Sequence, residues 1–274
     1  MAILLAAFVA GCAKQETGAD IKTHLRTGQA FFEQGQFNAT IIEARAALQI
    51  DPNNEEASVL LARVQITLGA PQAALALLER IEGTTLGYFE TLSEAYLARG
   101  KFASALLLVR QHADVFKQDP VKVELINGEA RLGLRDVAEA RAAYQRALKI
   151  DPGNVDAQIG IITVVTLTGD LEGAEARLKK LLETHPESVD AFTLLGAVYV
   201  RQGRYDDAES ALTDAVSRMP STDRFTRKRV VLIQNLIRLL ARQGRSGEAL
   251  FYQEMLADAF PNAEGMRDKM SEVI

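Results

Sequence analysis

Apolar and polar residues along most of this chain follow a helical period, in segments of about a dozen residues each. A glycine separates the two segments of each pair, where one helix has to stop and a residue without a Cβ accepts a positive φ at little cost. These glycines are Gly35, Gly69, Gly100, Gly169, Gly203 and Gly244. The pattern predicts short α-helices joined in pairs through glycine turns.

Prolines mark the other end of each helix pair. Pro152 to Pro186 and Pro186 to Pro220 each span 34 residues, and Pro52 to Pro120 spans 68, twice that interval. Because proline cannot continue a helix and restrains the residue before it, each is expected to close the second helix of a pair. Glycines and prolines therefore predict the same repeat of 34 residues.

The two sets of boundaries divide the chain into seven predicted repeats. They are Ile21–Asn54, Glu55–Thr85, Leu86–Pro120, Val121–Asn154, Val155–Ser188, Val189–Thr222 and Val230–Ala263. The third repeat has three extra residues after Gly100, and nine residues, Ser221–Arg229, are inserted before the seventh. Pro71 falls in the turn between two helices, and Arg135 stands where a turn glycine is expected.

The sixth repeat carries the fullest set of recurring small and aromatic residues. These are Phe192, Leu195, Gly196, Tyr199, Gly203, Tyr205, Ala208, Ala215 and Pro220. With them the chain resembles the tetratricopeptide repeat family. The resemblance implies an all-α, right-handed α-solenoid of about seven helix pairs over residues 21–263, closed by a short capping helix at residues 264–274. It also implies a protein that binds other proteins.

The N-terminal segment is unbroken apolar sequence from Ala2 to Ala10, followed by Gly11 and Cys12. Such a run is too short to cross a bilayer as a helix, and it suits the apolar region of an export signal. Residues 9–12 resemble a bacterial lipobox, which implies cleavage before Cys12 and acylation of its thiol. Residues 1–11 would then be a signal peptide and residues 12–20 a lipidated tether.

The residue after the cysteine, Ala13, resembles the pattern of lipoproteins sent on to the outer membrane. The resemblance implies a lipid-anchored protein on the periplasmic face of that membrane. The usual positive charges before the apolar run are missing, so an alternative stays open. In that alternative the run is a first capping helix with a buried cysteine, and the protein could be a cytoplasmic co-chaperone.

Composition excludes several functional classes. The net charge is −5, which gives no global attraction for nucleic acid. The three histidines lie in different repeats without a second ligand at helical spacing, and no phosphate-binding or nucleophile motif occurs. We therefore predict no enzymatic activity, no cofactor and no metal. The acidic pairs Glu55-Glu56 and Asp206-Asp207 are interpreted as charges at helix starts, where they face the positive end of the helix dipole.

The family frame places a concave groove along the first helix of each repeat, and we expect an extended or helical protein segment to bind there. Its predicted lining is Leu25, Gln29, Phe32, Arg63, Ile66, Glu90, Glu94, Leu97, Leu125, Glu129, Ile159, Thr163, Thr193, Val200, Gln234, Asn235 and Arg238. Family members that bind the C-terminal carboxylate of a chaperone carry lysines and asparagines at fixed positions of their first three repeats. This chain has other residue types at those positions. The alternative is that several of these side chains only cover the protein's own surface.

A basic patch interrupts the acidic chain between Ser221 and Arg245. It contains Arg224, Arg227, Lys228, Arg229, Arg238, Arg242 and Arg245 against the single acid Asp223, a local net charge of +6. This patch is expected to attract an acidic polysaccharide, lipid headgroups or an acidic protein face. In the alternative interpretation its arginines pair with neighbouring acids.

Taken together, the lipobox and the repeats resemble the tetratricopeptide lipoproteins of exosortase (PEP-CTERM) and exopolysaccharide systems. The resemblance implies a non-enzymatic scaffold that assists assembly or export in the bacterial envelope. Two alternatives remain from the sequence. One is a pilotin-like lipoprotein for a type IV pilus or secretion system, and the other is a glycan-binding accessory subunit.

Overall fold

A computed structural model describes the backbone of residues 3–219 and 226–259 and the side chains of residues 18–219 and 226–256. The described part of the chain is built from helices, with no strand. It divides into an N-terminal unit, up to Gln118, and a C-terminal unit, from Asp119 onward. Three helix pairs form the first and four form the second, which confirms the predicted all-α repeat of seven pairs.

Each helix of the N-terminal unit packs against the next along the chain. The helices are α1 (Ile3–Glu33), α2 (Phe37–Ile50), α3 (Glu55–Thr67), α4 (Pro71–Leu78), α5 (Leu86–Ala98), α6 (Phe102–Gln111) and the short α7 (Ala113–Phe116). The close approach of α1 to its neighbours depends on Gly28, where a Cβ would lie 2.9 Å from Leu60 and 3.1 Å from the Cβ of Glu43.

Consecutive helices also pack against each other within the C-terminal unit. Its helices are α8 (Pro120–Gly133), α9 (Val137–Ile150), α10 (Val155–Leu167), α11 (Leu171–Thr184), α12 (Val189–Gln202), α13 (Tyr205–Arg218), α14 (Arg227–Arg242) and α15 (Ser246–Ala259). The Tyr144 ring of α9 is held between two glycines, because a Cβ at Gly128 or Gly160 would lie 2.5 or 2.4 Å from it. Small residues on the first helices thus make room for large residues on the second.

The predicted turn glycines all have positive φ. The angles are 69° at Gly35, 81° at Gly69, 73° at Gly100, 94° at Gly169, 76° at Gly203 and 73° at Gly244. Arg135, which stands in the glycine position of the fourth repeat, also has a positive φ of 64°. The turn geometry is therefore imposed by the repeat, and a residue with a Cβ adopts it where glycine is missing.

Helix starts follow the capping rules. The side chains of Asn54 and Asn154 accept hydrogen bonds from the backbone N–H groups of Ala57 and Ala157, at 3.0 and 2.9 Å. Glu55-Glu56 and Asp206-Asp207 lie in the first turns of α3 and α13, which confirms their interpretation as charges at helix starts.

Two prolines do not lie where the predicted 34-residue repeat places them. Pro52, Pro152 and Pro186 follow the ends of α2, α9 and α11 as expected. Pro71, predicted in the turn, and Pro120, predicted to close the third repeat, are instead the first residues of α4 and α8. The first position of a helix suits proline, because the N–H that proline lacks has no partner there.

The extra residues of the third repeat form a local structure. Helix α6 ends at Gln111, and α7 follows after His112. The imidazole of His112 stacks on the Phe89 ring with centroids 3.9 Å apart, and Phe116 is 1% exposed. The insertion therefore adds a buried aromatic side chain to the core of the N-terminal unit.

Several predicted segments fall outside the described residues or side chains. Residues 264–274, the predicted capping helix, and Arg224 in the basic patch lie outside them. Helix α1 begins at Ile3, within the predicted signal peptide, and the side chain of Cys12 is not described. The signal peptide, the tether and the acylation of Cys12 stay predictions. Among the described residues, no helix is both long and apolar enough to cross a membrane.

Candidate functional site

In the N-terminal unit, three predicted lining residues from α1 and α3 come together. The Cζ atom of Arg63 lies 4.4 Å from the centroid of the Phe32 ring, and Arg63 Nη1 donates a hydrogen bond to Gln29 Oε1 at 3.4 Å. The guanidinium is therefore held over an aromatic ring and hydrogen-bonded to an amide. Ile66, Glu90 and Glu94 are half-buried on α3 and α5.

Two predicted lining residues of this unit belong to its interior instead. Leu25 is 6% exposed and packs with Ala47 and Ala57, and Leu97 is 7% exposed. Their assignment to the groove was wrong, because the wide apolar stripe of a repeat helix faces both its pair partner and the next repeat. They offer little surface to a partner.

The first helices α8 and α10 of the C-terminal unit offer few free polar groups. The Thr163 hydroxyl donates to the Ile159 carbonyl at 2.9 Å, and on α12 the Thr193 hydroxyl donates to the Val189 carbonyl at 2.7 Å. Leu125 and Ile159 are half-buried against the core, and Glu129 is exposed. This part of the predicted lining is mostly satisfied within its own helices.

A cavity of about 260 Å³ opens between α12, α13 and α14. It is lined by Gly196, Ala197, Val200, Arg201, Leu212, Asn235, Arg238, Leu239 and Arg242. The predicted groove residues Val200, Asn235 and Arg238 meet here with Arg242 of the predicted basic patch. Gln234, also predicted, is not among the lining residues.

The floor of this cavity is apolar and tightly packed. Leu212 and Leu239 are each 2% exposed. Leu212 reaches the floor because position 196 is glycine, where a Cβ would lie 2.8 Å from the leucine side chain. Since both leucines belong to the core of the C-terminal unit, the floor is fixed by the fold.

The rim of the cavity is basic. Arg238 Nη1 donates to Asn235 Oδ1 at 3.2 Å, and Arg201 donates to the Thr166 carbonyl of α10. Arg242 is exposed and has no hydrogen bond or ion pair to another described residue. No carboxylate is among the lining residues, so three guanidinium charges act on the cavity without a neutralising partner there.

Sequence reasoning missed Arg201, Ala197 and the two floor leucines. A signal was present, because Arg201 and Arg242 each lie two residues before a turn glycine, Gly203 or Gly244. The insertion lengthens the interval between these glycines to 41 residues, from 203 to 244. Counting back from each glycine places both arginines at the same repeat position, whereas counting in steps of 34 does not.

The structure divides the predicted basic patch. Lys228 Nζ lies 2.6 Å from Asp190 Oδ2, and Arg245 forms ion pairs with Glu248, at 2.5 Å, and with Glu209. The hydrogen bonds that Arg245 donates to Glu248 and Glu209 raise the pKa of its guanidinium. Arg227 is exposed and Arg229 half-buried at the start of α14. Of the described patch residues, Arg238 and Arg242 are the ones that line the cavity.

Among the side chains of residues 18–219 and 226–256, no group of three or more His, Cys, Asp or Glu could hold a metal ion. The walls of the cavity carry no serine, cysteine, histidine or carboxylate. The arrangement can bind an anionic group next to an apolar one.

Paired helices with left-handed turns at a fixed repeat position define an all-α repeat protein. Residues 31–85 match the family model "Tetratricopeptide repeat", and residues 123–226 match "Cytochrome c-type biogenesis protein H TPR domain". The chain thus contains tetratricopeptide repeats, as its sequence pattern predicts. A solved tetratricopeptide repeat protein from Parabacteroides merdae has the same fold, with a TM-score of 0.62 at 14% identity over 93% of this chain and 99% of that one.

Curated relatives match parts of the chain. The putative cellulose synthase operon protein C of Escherichia coli O157:H7 is 36% identical over 92 residues, which are 33% of this chain and 8% of that protein. The Protein CTR9 homolog of Arabidopsis thaliana is 28% identical over 110 residues, 39% of this chain and 10% of that protein. The matches thus span a tenth or less of the length of these curated relatives.

Proposed function

We propose that this protein is a non-enzymatic scaffold that binds a segment of another protein against the first helices of its repeats. The cavity between α12 and α14 carries the proposal, because it combines a fixed apolar floor with unneutralised charge on the helices that form partner grooves in this family. Its lining of aliphatic side chains, one amide and three guanidiniums suits binding and supplies no nucleophile or acid–base pair.

We further propose that this scaffold belongs to the bacterial envelope, lipid-anchored at Cys12 on the periplasmic face of the outer membrane. The lipobox resemblance of residues 9–12 supports the anchor. The likeness to a protein named for a cellulose synthase operon supports a role in the export or assembly of an exopolysaccharide.

Cross-linking in cells tests the scaffold function. A photo-reactive residue at Asn235 on α14, or at Gln29 on α1, is expected to capture a discrete protein. The same residue at Ser210, exposed on the second helix α13, is the matched control and should capture none. Equal capture from Ser210 and the first-helix positions would contradict the proposal.

Mass spectrometry of the mature N-terminus tests the anchor separately. A protein that begins at an acylated Cys12 is expected. An intact Met1 with a free Cys12 thiol would remove the envelope assignment and leave the scaffold function in place.

A second candidate function is favoured by the family-model match over residues 123–226, which is named for cytochrome c-type biogenesis. Deletion of the gene separates the two. Loss of secreted polysaccharide with unchanged cytochrome c content is expected from the first proposal, and the reverse result would establish the second.

A further inference from the structure

We infer that the cavity between α12, α13 and α14 binds an acidic protein segment, which inserts one aliphatic side chain and places flanking carboxylates on Arg201, Arg238 and Arg242. This inference rests on the proposed function, because it names the chemistry of the partner segment. It also selects one of the repeats' many first-helix surfaces as the main anchoring site.

The size and floor of the cavity favour an aliphatic side chain. Its volume of about 260 Å³ lies below the range of roughly 300–1,000 Å³ that is typical of pockets for drug-sized ligands. Leu212 and Leu239 form a floor that is buried and fixed by the core, and Ala197 and Val200 form a wall on α12. A side chain that enters would exchange water for apolar contacts on several sides.

The rim favours carboxylates. A guanidinium presents five N–H donors in a planar fork that matches a carboxylate, and the described contacts of Arg238 and Arg242 use few of them. Both of these arginines lie on α14, whereas Arg201, which lines the cavity from α12, already donates to the Thr166 carbonyl of α10. Carboxylates on both sides of an inserted side chain would each find a partner.

The same lining disfavours a sugar. A buried saccharide ring needs hydrogen-bond partners for several hydroxyl groups, or the burial costs free energy. The only amide in the lining is Asn235, whose oxygen already accepts a bond from Arg238, and no aromatic side chain is present for a ring to stack on. An acidic polysaccharide is therefore an alternative outcome of the test.

The test uses the full chain and a short synthetic peptide with capped ends, in which a central leucine is flanked on both sides by aspartates. Fluorescence anisotropy is expected to show saturable binding at low salt. Replacing the aspartates by asparagine, or the leucine by alanine, should each weaken binding about tenfold or more, since a lost charge-assisted bond or buried side chain is worth that much.

Protein variants locate the binding. Arg238→Gln/Arg242→Gln should weaken binding about tenfold or more, and Arg141→Gln/Lys149→Gln, exposed on α9, is the charge-matched control that should stay within about twofold. Ala197→Phe fills the cavity from an exposed helix position and should also abolish binding. Unchanged thermal unfolding of each variant shows that the fold is retained.

Four outcomes would overturn the inference: no binding of the peptide, equal loss in the charge-matched control, unaltered binding of the leucine-to-alanine peptide, or arginine-dependent binding of oligogalacturonate in place of the peptide. The scaffold function fails by a different result, the cross-linking control at Ser210. A partner captured from Asn235 together with peptide binding that ignores Arg238 and Arg242 would keep the scaffold and remove this site.

Discussion

The surface of α1 and α3 and the surface of α12 and α14 are built from the same repeat positions. The second surface opens into a cavity that arginines from both of its first helices line. Counting back from the turn glycines, Phe32 matches Val200, and Arg63 matches Arg238. In the N-terminal unit the arginine lies over the phenylalanine ring. In the C-terminal unit the valine leaves the space open, and Arg238 stays exposed at its rim.

A second matched pair strengthens this comparison. Gln29, which accepts a hydrogen bond from Arg63, corresponds to Ala197 six residues before Gly203. Two smaller side chains, alanine for glutamine and valine for phenylalanine, therefore accompany the change from a covered surface to an open one. The repeat fixes where a binding site can form, and side-chain volume at two positions decides whether it does.

The largest expected effect is on the floor that the cavity depends on. Leu212→Ala should lower the free energy of unfolding by about 2–5 kcal/mol, because it deletes a buried side chain and leaves a void. Leu167→Ala on α10, where the leucine is 55% exposed, is the control and should cost less than about 1 kcal/mol. Chemical denaturation followed by circular dichroism measures both, and equal losses would show that Leu212 is not part of a fixed core.

Exchange of the matched residue tests the comparison itself. Val200→Phe should close the cavity and weaken binding of the acidic leucine peptide about tenfold, or ~1.4 kcal/mol, with little change in unfolding. The added ring can fill open space and receive Arg238 as Phe32 receives Arg63. Peptide binding that survives Val200→Phe would contradict the role given to side-chain volume.

The two matched arginines should differ in their contribution to stability. Arg63→Ala should destabilise the protein by about 0.5–1 kcal/mol, because it removes the contact with Phe32. Arg238→Ala, which loses no aromatic contact, should change stability by less than about 0.5 kcal/mol. Thermal unfolding of the two variants in parallel provides the measurement, and the opposite order would reverse the comparison.

The smallest expected effect concerns Glu175, one of the two carboxylates with which Arg204 forms ion pairs. Arg242, in contrast, has no such partner among the described residues. Hydrogen bonds to Glu175 from Lys179, then from Gln202 and Arg204, lower the pKa of that carboxyl to about 2. Since the folded-state pKa lies below the usual 4.5, this contribution is complete above pH 4.5 and is lost as the pH falls toward 2.

The contribution should be of the size of a surface ion pair, about 0.2–1 kcal/mol. Glu175→Gln should therefore flatten the loss of stability in this pH window, whereas Glu172→Gln, exposed on the same helix, should not. Unfolding curves between pH 5 and about 2 make the comparison. An identical pH profile for wild type and Glu175→Gln would refute it.

The glycines and prolines at turns and helix ends account for most of the fold prediction. A turn with positive φ and a helix boundary each restrict the residue type strongly. All six turn glycines lie in the predicted conformation, and Arg135 was recognised as a substitute. The roles of Pro71 and Pro120 were harder to assign, since proline fits both the first position of a helix and the residues just after a helix end.

The candidate site was only partly predictable. Val200, Asn235 and Arg238 were predicted to line the groove and Arg242 to belong to the basic patch, but their convergence depends on how α12 and α14 pack across the insertion. Leu25 and Leu97 were predicted to line the groove but are buried. A periodic apolar pattern does not distinguish the helix face toward the next repeat from the face toward the groove. Burial between repeats is a tertiary property that spacing alone does not fix.

The wedge of Tyr144 between Gly128 and Gly160 gives this protein an internal optical reporter. Burial, followed by the nearby charges of Glu129 and Asp156, raises the pKa of the Tyr144 phenol, so its ionised form, with its red-shifted ultraviolet absorbance, is suppressed while the helices around it hold. The chain contains no tryptophan to mask phenol absorbance. An alkaline titration of a Tyr144→Phe variant against wild type should isolate one chromophore that ionises as α8, α9 and α10 separate. Local opening in the C-terminal unit can then be followed by absorbance without any added label.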